Sequence, residues 1–252
     1  MSYIVVDQIM KQYGEGKAAI VAVKGIGFDI DQGEFVAIMG ESGSGKSTLL
    51  SVMGALNSPT SGRYRVDSID VYALTQDQRA EFRREYLGFI FQSFHLIPYL
   101  TVIENVMLPL ATAKMKGSEK RGMAHDALRH VGLEGKEGRL PGEISGGEQE
   151  RVAIARAIVN EPTILLADEP TGNLDTKTSR SIMELFESLN SNGMTIIMVT
   201  HNAECAQYAR GILRVSDGLL AGEERILKQT DLASEKGNWP NNGDMKTTVY
   251  GA

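Results

Sequence analysis

Short apolar runs, bounded by polar residues or glycine, recur along the chain and predict buried β-strands. The clearest are FVAIM (35–39), TILLAD (163–168) and TIIMVT (195–200), each a continuous run typical of a strand covered on both faces. Near the N-terminus, YIVVDQI (3–9) is rich in β-branched residues and predicts a further strand. The run GILRVSDGLL (211–220) predicts a last strand that closes the core.

Apolar residues at helical spacing lie between these runs. Segment 46–56 places four apolar side chains on one face of a helix, namely Leu49, Leu50, Met53 and Leu56. The amphipathic segment 179–193 separates the runs at 163–168 and 195–200, which is the strand, helix, strand order of a parallel βαβ unit. We therefore expect an α/β protein that contains parallel strands.

The distribution of these elements also predicts how the chain is divided. The stretch 93–160 is mostly helical in pattern, and it predicts a helical subdomain between the core segments 1–92 and 161–228. The folded domain then covers 1–228. From about residue 228 the chain becomes polar and contains several Gly, Asn and Pro residues, so we expect 229–252 to form a flexible tail outside the core.

Composition and charge exclude several classes of protein. Of the 252 residues, 42% are hydrophobic and 23% are charged, which excludes collagen-like, disordered and disulfide-scaffold classes. The formal net charge of −6 excludes a strong general affinity for nucleic acid, because that affinity needs clustered Lys and Arg. A single cysteine, Cys205, cannot form an internal disulfide, which fits a reducing compartment. The N-terminus lacks signal-peptide features and no run of about 20 apolar residues occurs, so we expect any membrane part to be another chain.

The strongest chemical signal is the sequence GESGSGKST, which follows the apolar run at 35–39 and precedes a predicted helix. It matches G-x-x-x-x-G-K-S/T in the context that a phosphate-binding loop requires. The glycines allow a sharp turn that points successive N–H groups at phosphate oxygens. Lys46 can reach the β- and γ-phosphates, and the Ser47 hydroxyl can ligate Mg²⁺. A dinucleotide fingerprint is excluded, because the position of its third glycine is Thr48. The predicted nucleotide-binding residues are Gly40, Glu41, Ser42, Gly43, Ser44, Gly45, Lys46, Ser47 and Thr48.

Two adjacent acidic residues stand at the end of the apolar run at 163–168: one is its last residue and the other follows directly. Asp168 and Glu169 would lie at the carboxyl edge of the sheet, where α/β folds bind their ligands. Beside a phosphate loop, we expect Asp168 to hold Mg²⁺ through its water shell. We expect Glu169 to orient and polarise the attacking water.

A third motif indicates the family. The run ISGGEQERVAIARAIVNEP, which begins at Ile144, resembles the LSGGQ signature of ATP-binding-cassette (ABC) ATPases. Ser145, Gly146 and Gly147 lie at the predicted start of a helix, which is an anion-binding position. The resemblance implies that these three residues meet the γ-phosphate of the nucleotide held by a second protomer. Glu148 replaces the usual glutamine, a change familiar in the lipoprotein-release and cell-division members, so we expect hydrolysis to survive.

The resemblance assigns roles to four further residues. Gln92, in FIFQSFHLIP, matches the glutamine loop that approaches Mg²⁺ and couples to a membrane partner. Asp175, in TGNLD, matches the loop that crosses the dimer interface. His201, in MVTHN, matches the switch histidine that contacts the γ-phosphate, and Tyr13 matches the aromatic residue that stacks on adenine. The expected catalytic residues are thus Lys46, Gln92, Glu169 and His201, and the expected metal-site residues are Ser47, Gln92 and Asp168.

Within the ABC family, the segments 87–110 and 166–175 resemble the branch of macrolide exporters and of lipoprotein-release, cell-division and antimicrobial-peptide resistance ATPases. The resemblance implies a P-loop nucleoside triphosphate hydrolase with an ABC-type core and a helical subdomain. It also implies a homodimer that uses ATP and Mg²⁺ and powers a separate permease from the cytoplasmic face of the cell membrane. We expect a groove lined by aromatic and aliphatic residues to receive a permease helix. The residues that line this groove are Phe94, Leu96, Ile97 and Tyr99.

Other functions stay open at this stage. An ATPase of this kind can drive transmembrane signalling or cell-envelope regulation through a permease-like partner without transport. An importer subunit is a further alternative, disfavoured by the GNLD segment. A DNA-maintenance ATPase is disfavoured because the chain has neither heptad repeats nor cysteine pairs. The sequence does not identify the transported substrate, its direction or the permease.

Overall fold

The computed structural model describes residues 2–225, so the predicted tail at 229–252 lies outside the described residues. The strands are β1 (Ile4–Tyr13), β2 (Ile20–Ile30), β3 (Phe35–Met39), β4 (Ser61–Val66), β5 (Ile69–Asp70), β6 (Leu87–Ile90), β7 (Ile164–Asp168), β8 (Thr195–Thr200), β9 (Gly211–Ser216) and β10 (Leu219–Arg225). The α-helices are α1 (Lys46–Met53), α2 (Gln76–Tyr86), α3 (Val102–Met107), α4 (Gly117–His130), α5 (Gly146–Ile158), α6 (Thr176–Ser191) and α7 (Ala203–Ala206).

A six-stranded sheet forms the centre of the fold, in the order β10-β9-β3-β8-β7-β6. Strand β3 pairs in parallel with β8 and β9, and β7 pairs in parallel with β8 and β6. The predicted strands at 35–39, 163–168 and 195–200 are therefore confirmed as neighbouring parallel strands. Because parallel strands end at the same edge, the residues that follow β3, β6, β7 and β8 meet there.

A second, four-stranded sheet is antiparallel and has the order β2-β1-β4-β5. Helix α1 lies between the two sheets, since it contacts β2 of the small sheet and β7 and β8 of the large one. Val36 and Ile38 of β3 face this layer and share one hydrophobic cluster with Leu49 and Leu50 of α1. Helix α1 thus joins the two sheets through one continuous apolar core, and the phosphate loop precedes its first turn.

The opposite face of the large sheet is covered by helices α3 to α6. Phe35, Ala37 and Met39 alternate with the residues that face α1, and they pack in a second cluster with side chains of these helices. Helices α3, α4 and α5 also contact one another. The prediction of a mostly helical region between 93 and 160 is therefore correct. The division of the chain into a core and a helical subdomain stays a prediction.

Two element predictions need correction. The helix after the phosphate loop ends at Met53 rather than near residue 56, and Leu56 is 47% exposed instead of sharing the buried face. The predicted single strand at 211–220 is a hairpin of β9 and β10, joined at Asp217 and Gly218, whose φ values are 50° and 81°. Two successive positive φ angles form the type I′ turn that Asp-Gly favours, and this turn reverses the chain.

Candidate ATP site

The phosphate loop connects β3 to α1 and depends on glycine for two different reasons. Gly43 and Gly45 have φ values of 80° and 100°, a region that side-chain-bearing residues rarely adopt. A Cβ atom on Gly40 would lie 2.0 Å from the Val215 carbonyl oxygen, and one on Gly45 would lie 2.2 Å from that of Ala22. The loop is therefore packed directly against the backbone of its neighbours.

Lys46 begins α1, and its side chain folds back into the loop. The residue is 5% exposed, and its Nζ donates hydrogen bonds to the carbonyl oxygens of Gly40 (2.8 Å) and Glu41 (2.6 Å). Its ammonium group is thereby held inside the turn that the glycines allow. The adjoining cleft has a volume of about 580 Å³ and is lined by Ala22, Glu41, Ser42, Gly43, Gly45, Lys46, Ser47, Thr48, Gln92, Glu169 and His201.

Asp168 ends β7 beside the first turn of α1. Ser47 Oγ donates a hydrogen bond to Asp168 Oδ1 at 3.0 Å. Burial raises the pKa of the Asp168 carboxyl; the Ser47 hydrogen bond opposes that rise, and the neighbouring Glu169 charge adds to it. Two carboxylates and a hydroxyl thus lie together at the mouth of the phosphate loop.

Glu169 has an unusual backbone conformation that directs its side chain into the cleft. Its φ is 49°, and its N–H donates to the Val199 carbonyl oxygen at 2.9 Å. Its Oε2 atom accepts a hydrogen bond from Gln92 Nε2 (3.4 Å) and lies 3.0 Å from His201 Nδ1. Non-glycine residues with strained backbone conformations of this kind cluster at functional sites, where surrounding contacts maintain the strained conformation.

Three of the predicted site elements lie outside this cleft. Ser145 caps α5: its N–H and hydroxyl both donate to Glu148 Oε2, at 2.8 and 3.0 Å. The Glu148 N–H donates in turn to Ser145 Oγ, so the acid at this position of the signature closes a capping box. Glu148 also pairs with Lys136. Asp175 caps α6 differently, because its carboxylate accepts hydrogen bonds from the N–H and the hydroxyl of Thr178. Tyr13 ends β1 with 43% of its surface exposed.

Comparisons with known proteins are consistent with this geometry. The family described as ABC transporter matches residues 23–172, more than half of the chain. This chain belongs to the ABC transporter family. It is 47% identical over 222 residues to the ABC transporter ATP-binding protein YvrO of Bacillus subtilis, covering 88% of this chain and 97% of YvrO.

Other relatives of this ABC ATPase include fused proteins and solved structures. The macrolide export ATP-binding/permease protein MacB of Syntrophobacter fumaroxidans is 46% identical over 226 residues, and the match spans only 32% of its length. The solved dimeric structure of the ATP-binding cassette MJ0796 in a post-hydrolysis state bound to ADP and Pi has a TM-score of 0.81 and 43% identity. It covers 88% of this chain and 98% of that chain. The predicted fold and ATPase activity are confirmed by these matches.

Two polar residues of this ABC ATPase, which sequence reasoning missed, organise the segment after Gln92. Arg156 of α5 donates to the carbonyl oxygens of Phe94 and His95, each at 2.6 Å. The fully buried Asn105 of α3 accepts from the N–H of Ile97 and donates to three carbonyl oxygens of the segment 97–101. Nothing in the local pattern distinguishes Arg156 from an exposed helical arginine.

The segment 94–99 presents only part of the apolar surface that was expected. Leu96 packs against the core under the helical layer, whereas Tyr99 is 78% exposed. Phe94 and Ile97 are half-buried. The chain thus holds Leu96 inwards and leaves Tyr99 as the most exposed apolar side chain of the segment.

Proposed function

We propose that this ABC ATPase binds ATP in the cleft described above and hydrolyses it to drive export or extraction of a substrate through a separate membrane permease. The observation that carries the proposal is the position of Glu169. Its carboxylate lies between Gln92 and His201, beside the phosphate loop and next to Asp168. That arrangement supports the activation of a water molecule next to a bound γ-phosphate.

The roles that we propose follow from the charge of the phosphates. The backbone N–H groups of the loop and the start of α1 would hold the β- and γ-phosphates. The ammonium of Lys46 would exchange carbonyl partners for phosphate oxygens and oppose the negative charge that redistributes in the transition state. Tyr13, exposed at the end of β1, would stack on the adenine.

The chemical step needs a positioned water and a proton acceptor. In the proposed reaction the water oxygen attacks the γ-phosphorus in line, the bond to the β,γ-bridging oxygen breaks, and Glu169 takes a proton from the water. His201 holds the Glu169 carboxylate from one side and would contact the γ-phosphate. Gln92 holds the carboxylate from the other side. The products are ADP and inorganic phosphate.

The residues beside the loop fit a magnesium ion. Ser47 Oγ and Asp168 Oδ1 are hard oxygen donors, and Gln92 lines the same cleft. Mg²⁺ is usually bound through one or two protein oxygens together with substrate phosphates. Ser47 would ligate Mg²⁺ directly, and Asp168 would hold its water shell. When bound, the ion neutralises charge on the phosphate oxygens.

We propose that two copies of the chain share two ATP sites. Ser145, Gly146 and Gly147 form the N-terminus of α5 and lie outside their own chain's cleft, as they would if they completed a partner's site. A helix N-terminus suits the γ-phosphate of the opposite nucleotide. The dimeric MJ0796 structure supports this arrangement, and Asp175 would lie at the same interface.

The proposed membrane partner is a permease that docks near Tyr99. No helix within residues 2–225 is long and apolar enough to cross a bilayer. We propose that contact with the permease holds this ATPase at the cytoplasmic face of the membrane. The likeness to MacB, which joins ATP-binding and permease parts in one protein, supports export. Phe94, Ile97 and Tyr99 would supply the apolar contacts.

The shared-site mechanism is tested by trapping the dimer. Glu169→Gln should preserve ATP binding, stop hydrolysis and yield a dimer in light scattering with MgATP. Adding Ser145→Arg should abolish that dimer, because a bulky side chain would occupy the position of the partner's phosphate. Thr75→Arg is the matched control, since Thr75 caps α2 with the same capping box. A Glu169→Gln protein that stays monomeric at saturating MgATP, or a double variant that still dimerises, contradicts the proposal.

A further inference from the structure

The turn between β9 and β10 contacts the back of the phosphate loop. Gly218 donates its backbone N–H to the Ser44 carbonyl oxygen (3.0 Å), and its own carbonyl oxygen accepts from the N–H of Lys24 (2.7 Å). Ser44 belongs to the phosphate loop and Lys24 to β2. A single residue of the hairpin therefore joins two separate walls of the cleft.

There is no room for a side chain at this point. Gly218 has a φ of 81°, and a Cβ atom on it would lie 2.8 Å from the Ala22 carbonyl oxygen and 3.3 Å from the side chain of Lys24. The same Ala22 oxygen lies against Gly45 of the phosphate loop. The β2 backbone is therefore in close packing with a glycine of the loop on one side and a glycine of the turn on the other.

We propose that Gly218 is a positioning residue of the ATP site, whose turn sets the spacing between the phosphate loop and β2. The inference rests on the proposal that ATP binds in this cleft. Tyr13 pairs with Ile20 of β2, so a shift of β2 relative to the loop would separate the expected adenine-binding residue from the phosphate-binding groups. Binding groups that are held in the required geometry beforehand give higher affinity, because less ordering is needed when the ligand binds.

Two substitutions separate contact from backbone strain. Gly218→Ala adds a Cβ atom, and it also places alanine at a positive φ that is strained for this residue. Gly218→Asn adds the same Cβ atom, but asparagine tolerates this backbone region better and the variant should retain more stability. The matched control is Gly193→Ala, because Gly193 also has a positive φ (96°) but no atom lies within 4 Å of its added Cβ.

The measurement is the Kd of the full chain for MgADP by isothermal titration calorimetry, well below the melting temperature of each variant. We expect both Gly218 variants to bind about tenfold more weakly, because the two walls that contact the nucleotide are no longer held in the required geometry before it binds. Gly193→Ala should lose thermal stability and keep the wild-type Kd.

Each outcome bears on one proposal. A Gly218→Asn protein that binds MgADP as tightly as the wild type overturns the positioning role, as does an equal loss of affinity in Gly193→Ala. If the wild type itself binds no MgADP, the proposed nucleotide site fails instead. If Gly218→Ala does not fold, the Kd of Gly218→Asn for MgADP alone tests the positioning role.

Discussion

The Oε2 atom of Glu169 lies 3.0 Å from Nδ1 of His201, and the two residues differ sharply in exposure. The glutamate side chain is 18% exposed and the histidine side chain is 64% exposed. They follow neighbouring parallel strands, β7 and β8, so the sheet itself brings them together. The pair thus combines a sheltered carboxylate with an imidazole that is open to the cleft.

His201→Ala should lower kcat for ATP hydrolysis by about a hundredfold, because the variant lacks the imidazole that we propose to contact the γ-phosphate in the transition state. Nucleotide affinity should change little, since the phosphate loop and Lys46 stay intact. Steady-state phosphate release and MgADP titration measure the two effects. His130→Ala, at the exposed end of α4, is the control and should match the wild type in both. A His201→Ala enzyme with wild-type kcat contradicts the assigned role.

Lys46→Ala should abolish hydrolysis and weaken nucleotide binding, because we propose that the buried ammonium neutralises the β- and γ-phosphates. It also removes the donor to the Gly40 and Glu41 carbonyl oxygens, so a lower melting temperature should accompany the loss. Calorimetric titration and thermal denaturation measure these effects. Lys114→Ala, an exposed lysine before α4, is the control. Hydrolysis within threefold of the wild type would contradict the assignment.

We expect Glu150 to make the stability of the protein depend on pH. Its side chain is 1% exposed and Oε1 has no hydrogen-bond partner; burial raises its pKa to about 8, partly opposed by the Arg156 charge. Between its ordinary pKa of about 4.5 and that value, the folded state binds the proton and the unfolded state releases it. The free energy of unfolding therefore falls as pH rises through this window, by on the order of a few kcal/mol.

Glu150→Gln should remove this slope, because the amide is neutral at every pH in the window. Urea denaturation between pH 5 and pH 8 measures it, and the variant should be the more stable protein at pH 8. Glu134→Gln, at an exposed glutamate, should keep the wild-type slope. Parallel pH profiles for the wild type and Glu150→Gln would show that this carboxyl does not cause the dependence.

Arg156→Lys should loosen the segment 94–101, since one ammonium cannot reproduce two parallel bonds from a planar guanidinium. We expect a loss of about 2 kcal/mol in local stability, measured as faster amide exchange in that segment. Arg151→Lys is a close control, because Arg151 of the same helix makes two 2.6 Å bonds to Val131 and Ser181 instead. Unchanged exchange at 94–101 in Arg156→Lys would refute the positioning role of Arg156.

Local pattern was sufficient for the elements that surround the phosphate loop. An apolar run, a glycine-rich turn and helical spacing are consecutive in sequence, so β3, the loop and α1 could be predicted without the tertiary structure. The β9–β10 hairpin was missed although Asp217-Gly218 is a strong turn pair, because the apolar residues continue on both sides of it. The burial of Glu150 could not be predicted, since a charged residue within a helix is ordinarily exposed.

The sequence by itself determined the class of chemistry. The residue types that bind phosphate, hold a metal ion and activate water are present in motifs whose order along the chain indicates an ABC ATPase. Only the tertiary structure decided which of these groups meet. Ser47 and Asp168 are 121 positions apart and become neighbours because β3 and β7 both flank β8. Ser145 is placed away from its own cleft, and Gly218 is placed behind the phosphate loop. Such contacts depend on how strands are ordered in the sheet and on how closely backbones pack, and neither property is encoded in a local pattern.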